Sequence, residues 1–205
     1  WTVLNTPAGS ISGLSNGSLE PNFIPKVPIN NTISTATARI IVTAQLNNCI
    51  SNPDTFFVTV NPSAEAIYTN PSPICSGNNM QVSLSSLTNN VTFSWDTAWV
   101  FNSQHIVNAK PDSGNIINQN PINNNDSVVA SIRYIITPNY LGCVGKKDSL
   151  IININPTPSL SIDSVLEEIC SKDFVYAQVS SPSPNTFFAW NNINGAQFGA
   201  SSDTT

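Results

Sequence analysis

The feature that most constrains this chain is that it repeats itself at long range. Trp1, Trp95 and Trp190 are separated by 94 and 95 residues, Cys49 and Cys143 by 94, and Cys75 and Cys170 by 95. The same offset lays Arg39-Ile40-Ile41-Val42-Thr43 on Arg133-Tyr134-Ile135-Ile136-Thr137, and Val60-Asn61-Pro62 on Ile154-Asn155-Pro156. Rare residues that recur in one register mean that one scaffold is written more than once. A unit of about 94 residues is large enough to close its own core, unlike the short repeats of solenoids, which need stacked neighbours.

Within each copy the apolar residues alternate, which is the pattern of strands with one buried face. Met80, Val82 and Leu84 mark one strand, with Gln81 and Ser83 turned outward, and Val175, Ala177 and Val179 are its equivalent. Val91, Phe93 and Trp95 mark a second, matched by Phe188 and Trp190. Ile132, Tyr134 and Ile136 mark a third, matched by Ala38, Ile40 and Val42; Leu150, Ile152 and Ile154 mark the last, matched by Phe56, Val58 and Val60. Pro-rich stretches follow the last strand, where a residue without an N–H ends pairing and stiffens a linker. The expected organisation is all-β, tandem immunoglobulin-like sandwiches: the C-terminal part of one repeat at 1–62, a complete repeat at 63–156, and the N-terminal part of the next at 157–205. The two partial repeats are expected to be completed by chain outside this sequence, since a sandwich lacking strands cannot bury the rest.

Composition removes several functions. With 7 Lys plus Arg against 12 Asp plus Glu, a net charge of -5 gives no cationic surface for nucleic acid. No apolar run reaches the roughly 18 residues needed to cross a bilayer as a helix, and no signal-peptide pattern opens the sequence. Fifteen Pro and nine Gly among short β-branched and aromatic stretches favour many strands joined by turns.

Four cysteines, without Cys-x-x-Cys and with a single His, read as half-cystines of an oxidising compartment rather than a zinc site. The order Cys75, Trp95, Cys143 resembles that of immunoglobulin domains. On that likeness the favoured pairing is Cys75 with Cys143, a loop of about 68 residues worth on the order of 4 kcal/mol on a chain-entropy account. Cys49 and Cys170 would then find partners outside the sequence. The alternatives are Cys49–Cys75 with Cys143–Cys170 across the junctions, or free thiols.

Ile74-Cys75-Ser76-Gly77, Phe93-Ser94-Trp95, Tyr134-Ile135-Ile136-Thr137-Pro138, Gly142-Cys143 and Ile152-Asn153-Ile154-Asn155-Pro156 together resemble the PKD-like repeats of giant surface adhesins. Those adhesins belong to Bacteroidetes, are exported by the type IX secretion system, and include proteins of gliding motility. The third copy departs in having Lys172 where Gly77 stands in the second. The resemblance implies an extracellular, cell-surface stalk or adhesive array, partnered by neighbouring repeats of the same chain and by surface polysaccharide or the secretion and motility machinery. Seven of the eight Asp are followed by Ser or Thr, types that make up about a fifth of the chain. These pairs resemble the Asp-Ser/Thr motif that such bacteria O-glycosylate, which implies sugars at Thr97, Ser127, Ser149, Ser164 and Thr204; ordinary Asp-containing turns are the competing account.

Catalytic chemistry has little to build on. His105 is the lone histidine and no Gly-x-Ser-x-Gly accompanies it. Glu167 and Glu168 are adjacent, so they diverge in a strand and are solvated in a loop. Gly9, Gly13 and Gly17 lack the Lys-Ser/Thr of a phosphate loop, and the dispersed acids make no calcium loop. Trp95 is expected in the core because it lies in phase with Phe93. The expectation is a non-enzymatic structural and adhesive segment without metal or cofactor. The rivals are a carbohydrate-binding module, which needs exposed aromatics, and an accessory spacer of a secreted hydrolase.

Overall fold

A computed structural model of the chain describes residues 1–17, 27–165, 168, 170–173, 176–191 and 203–204. They are all-β apart from one 3-10 turn at Ser103–His105.

The first copy contributes β1 (Thr2–Thr6), β2 (Ile11–Ser12), β3 (Ile29–Asn30), β4 (Ala36–Val42), β5 (Gln45–Leu46), β6 (Cys49–Ile50) and β7 (Asp54–Val60). Strands β1, β4 and β7 form an antiparallel sheet in the order β1-β4-β7, with β2–β3 and β5–β6 as separate ribbons. The second copy contributes β8 (Ile74–Cys75), β9 (Met80–Ser83), β10 (Thr92–Ala98), β11 (Ile106–Val107), β12 (Asp112–Ser113), β13 (Ile116–Gln119), β14 (Ile122–Asn123), β15 (Ala130–Tyr140), β16 (Cys143–Val144) and β17 (Asp148–Asn155). Its main sheet runs β12-β10-β15-β17-β8, with β16 folded back on β15; only the β8–β17 pair is parallel. The β9–β13 ribbon lays Met80, Val82 and Ile117 against Phe93, Trp95, Ile132, Tyr134, Ile136, Leu150, Ile152 and Ile154 of the main sheet. Each of these buried side chains adds about 1.5–3 kcal/mol relative to exposure.

The register of the long strands is the same in the first two copies. β4 pairs β7 from Ala36↔Val60 to Val42↔Asp54, and β15 pairs β17 from Ala130↔Ile154 to Ile136↔Asp148. Adding 94 to every residue of the first ladder gives the second. Thr2↔Ile41 likewise becomes Asp96↔Ile135, which makes Trp1 the equivalent of Trp95. The hairpins agree as well: Leu46↔Cys49 becomes Tyr140↔Cys143. Their two-residue turns, Asn47-Asn48 and Leu141-Gly142, all have positive φ, the geometry that matches the twist of paired strands.

The third copy contributes β18 (Ser161–Val165), β19 (Ala177–Ser180), β20 (Ala189–Trp190) and β21 (Asp203–Thr204). Trp190 pairs with Asp203 as Trp95 pairs with Asp112. Outside the second copy the expected inward positions divide: Ala38 and Ile40 are buried, the others only partly so or exposed. Trp95 is 4% exposed but Trp190 46%, and Val42 and Phe56 are 38% and 47% exposed. No described strand of the first copy supplies the layer that β9 and β13 supply in the second, and no described strand of the third matches β15 or β17. Val175 lies outside the described residues.

Candidate functional site

Three places in the second copy combine unusual chemistry with a defined position: a buried asparagine, the sheet ends that meet neighbouring copies, and an aromatic loop.

Asn123 ends β14, buried, and its side chain closes the sandwich. Its Nδ2 donates to the carbonyls of Val128 at 2.8 Å and Ile154 at 3.1 Å, and its Oδ1 accepts from the Asn125 amide at 3.0 Å. The first copy does the same with Asn30, whose Nδ2 donates to Ser34 and Val60 carbonyls at 2.8 and 2.7 Å and whose Oδ1 accepts from the Thr32 amide at 2.8 Å. Asparagine suits the task because one side chain both donates twice and accepts. The offset here is 93 rather than 94, which hides the match within the runs Asn30-Asn31 and Asn123-Asn124-Asn125.

A second polar group is buried under the aromatic core. Tyr134 donates its hydroxyl to Gln119 Oε1 at 2.9 Å, while Gln119 accepts from the Lys110 amide at 3.1 Å and donates to the Lys110 carbonyl at 2.8 Å. Burial pushes the Tyr134 phenol up to about 12. Tyr68 reaches about 12 as well, through burial first and then its contact with Asp148. A phenol that keeps its proton more tightly when folded favours the folded state fully below pH 10, and that contribution disappears as pH rises from 10 toward 12. Alkaline unfolding is therefore expected to steepen over that window, and Tyr134→Phe to flatten it, read by circular dichroism against pH.

The ends of the main sheet meet the neighbouring copies. At the first junction Pro62 and Ala64 are buried. The Ala64 carbonyl accepts the Lys146 amide at 3.0 Å, and any Cβ at Gly145 would collide with it. Thr35 Oγ1 lies 3.3 Å from the Tyr140 hydroxyl, and Asn61 Nδ2 donates to Cys143 Sγ at 3.6 Å. At the second junction Ser159 donates to Asp126 Oδ2 at 3.0 Å and Ser183 donates to the Asp126 carbonyl. Hydrogen bonds from Ser127 and then Ser159 hold the Asp126 carboxyl below its ordinary value.

This geometry corrects the favoured disulfide. Cys75 stands opposite Asn155, beside the Ala130 end of β15, whereas Cys143 stands opposite Tyr140 at its other end. Ten residue steps of extended strand separate those ends, about 33 Å at roughly 3.3 Å per residue. A disulfide needs Cα atoms within about 7 Å, so Cys75 and Cys143 of one copy do not pair. All four cysteines are free and exposed.

The O-glycosylation candidates fall in unlike settings. Ser149 is exposed at the start of β17, Ser127 is half-buried with its hydroxyl on Asp126 at 2.9 Å, and Thr97 is half-buried on the same side of β10 as Trp95. The side chains of Ser164 and Thr204 lie outside those described. Asp54, Asp112 and Asp148 each accept the next residue's amide at 2.7 to 2.9 Å. A carboxylate that secures the first amide of a strand is itself a reason for the Asp-Ser/Thr pairs.

Trp99 and Phe101, 79% and 80% exposed, form the loop after β10, tied down by Asn102 Nδ2 on the Val129 carbonyl at 3.3 Å. They have no aromatic counterparts at Asn5 and Pro7 or at Asn194. Trp99 was legible only as the one tryptophan off the repeat register. His105 is half-buried beside Gln104, Glu168 is exposed, and Glu167 lies outside the described residues. A shallow depression of about 200 Å³ lined by Ser85, Asn89, Asn90, Phe93 and Asn115 holds no ionisable group.

The second copy is a two-layer sandwich closed by the parallel β8, and its β10-β15-β17 ladder recurs in the first copy at an offset of 94. Residues 72–158 match the family model of the PKD-like domain. No curated protein matches the chain. PKD-like domains are typical of extracellular multidomain proteins. The match spans β8 to β17 and takes in Cys75, Trp95, Asn123 and Cys143. Among the described residues no helix is long and apolar enough to cross a membrane.

Proposed function

We propose that this chain is a stretch of PKD-like repeats in a secreted cell-surface protein, where it serves as a structural and adhesive segment. The observation that carries the reading is the pairing register of the first copy, which maps on that of the PKD-like domain by adding 94 to each residue. A scaffold copied so closely, with Pro62 and Ala64 packed into the junction, fits a role in reach and repeated attachment rather than in one-site chemistry. Export by the type IX system, with gliding adhesion as the use, is the finer form of the proposal, supported by the likeness of the repeat motifs to those of such adhesins. An antibody to residues 63–156 is expected to label intact source cells and to reduce their attachment to a surface. Antigen confined to the cytosol, or labelled cells that attach normally, would sink the reading.

Trp99 and Phe101 favour a second reading, in which the PKD-like domain also stacks on sugar rings. Exposed aromatic faces are costly in water and useful against the apolar face of a pyranose. Replacing both by Ala is expected to leave the unfolding midpoint unchanged within about 0.5 kcal/mol and to abolish retention on polysaccharide columns. Unchanged retention, or no retention by the unaltered chain, removes this reading and leaves the first intact.

A further inference from the structure

We propose that wherever two complete repeats follow one another, the cysteine at the Cys75 position of the first is joined by a disulfide to the cysteine at the Cys143 position of the second.

The argument starts from Cys75, which lies opposite Asn155 in the parallel β8–β17 pair. Neighbouring parallel strands lie about 4.8 Å apart, and residues in register point their side chains to the same face. A thiol at the Cys75 position is thus one strand spacing from the asparagine that ends the last strand of its own repeat. In the first repeat that asparagine is Asn61, the residue 94 before Asn155. Asn61 Nδ2 lies 3.6 Å from Cys143 Sγ of the second repeat. The place that a β8-type cysteine of the first repeat would occupy is therefore one strand spacing from the residue whose side chain touches Cys143 Sγ, which brings the two thiols to the same junction.

The junction is held in this position independently of the sulfur. Thr35 of the first repeat meets Tyr140 of the second, and the chain that enters the second repeat after Pro62 is fixed by the Lys146 amide on the Ala64 carbonyl, for which Gly145 makes room. The pairing also accounts for Cys75 and Cys143 standing exposed at opposite ends of their own repeat. The complete repeat carries one at its leading end and one at its trailing end, so on this pairing it is joined to both neighbours and not to itself.

Formation releases two protons and two electrons from two thiols as the S–S bond forms. The electron acceptor is a disulfide, of a protein oxidant or a small thiol, which is cleaved to two thiols. The inference rests on the proposed extracellular setting for that oxidant, but its geometry can be tested in a tube.

The chain is prepared with residues 63–156 duplicated after Pro156, so that two complete repeats stand in tandem, oxidised with glutathione disulfide, and mapped as peptides without reduction. Cys75 of the first copy linked to Cys143 of the second is the expected product. A Cys75–Cys143 link inside one copy, or junction thiols that remain fully alkylatable in the folded protein, overturns the proposal. Should the duplicated chain fail to fold, Asn61→Cys in the unduplicated chain serves as well: a 61–143 link supports the proposal, and its absence in folded protein overturns it. Neither result depends on where the parent protein resides.

Discussion

Replacing Trp95 by Ala is expected to lower the unfolding free energy of the PKD-like domain by about 3–5 kcal/mol, the range for deleting a large buried aromatic and leaving a partly collapsed cavity. Trp95 is 4% exposed, at the centre of a cluster with Phe93, Tyr134, Ile136 and Leu150. Against a total stability of about 5–15 kcal/mol for a domain, that loss takes it to the edge of unfolding. The same substitution at Trp190, half open to solvent, is expected to cost under about 1 kcal/mol, because little apolar surface is returned to water. Urea titrations followed by far-ultraviolet circular dichroism separate the two variants. Equal shifts of midpoint would show that the burial difference between the copies is wrong.

Asn123→Ala is expected to cost about 2–4 kcal/mol although it removes no apolar surface. The change strands the carbonyls of Ile154 and Val128 and the amide of Asn125, and each buried polar group left alone costs about 1–3 kcal/mol, partly relieved by water entering the gap. Asn123→Asp sharpens the test. An ionised carboxylate cannot donate to the Ile154 and Val128 carbonyls, so this variant is expected to be worse than Ala at pH 7. It should recover below pH 5 as the acid regains a proton to donate, the reverse of the pH trend of the parent chain. A variant insensitive to pH, or as stable as the parent, would mean that Asn123 is not the closure of the sandwich.

Trp95 and Asn123 divide cleanly by what a reader of residues can see. The in-phase run Val91, Phe93, Trp95 announced a buried tryptophan, since a strand with one apolar face has no other economical arrangement. Asn123 gave no such signal. It stands in a run of three asparagines one residue out of the repeat period, and only Asn123 among them is buried. Likewise the stretch from Ile106 to Asn123, with its four short strands, carries no apolar alternation long enough to read: three of the strands have two residues and hold at most one inward side chain, and in the fourth the inward pair is Ile117 with the polar Gln119. Their pairing is decided by which partner edges happen to be open nearby.

What the residues determined by themselves is the repeat, its β-class and the inward face of each long strand, because period and alternation are local properties that survive without knowing any neighbour. The direction in which β8 joins the sheet was decided only by the tertiary structure. A parallel β8–β17 pair puts Cys75 at the trailing end of its repeat and leaves Cys143 at the leading end. Strand direction depends on how remote segments share one layer, a relation that no spacing along the chain encodes. The same cysteines that looked like partners within a repeat are therefore set to face its neighbours.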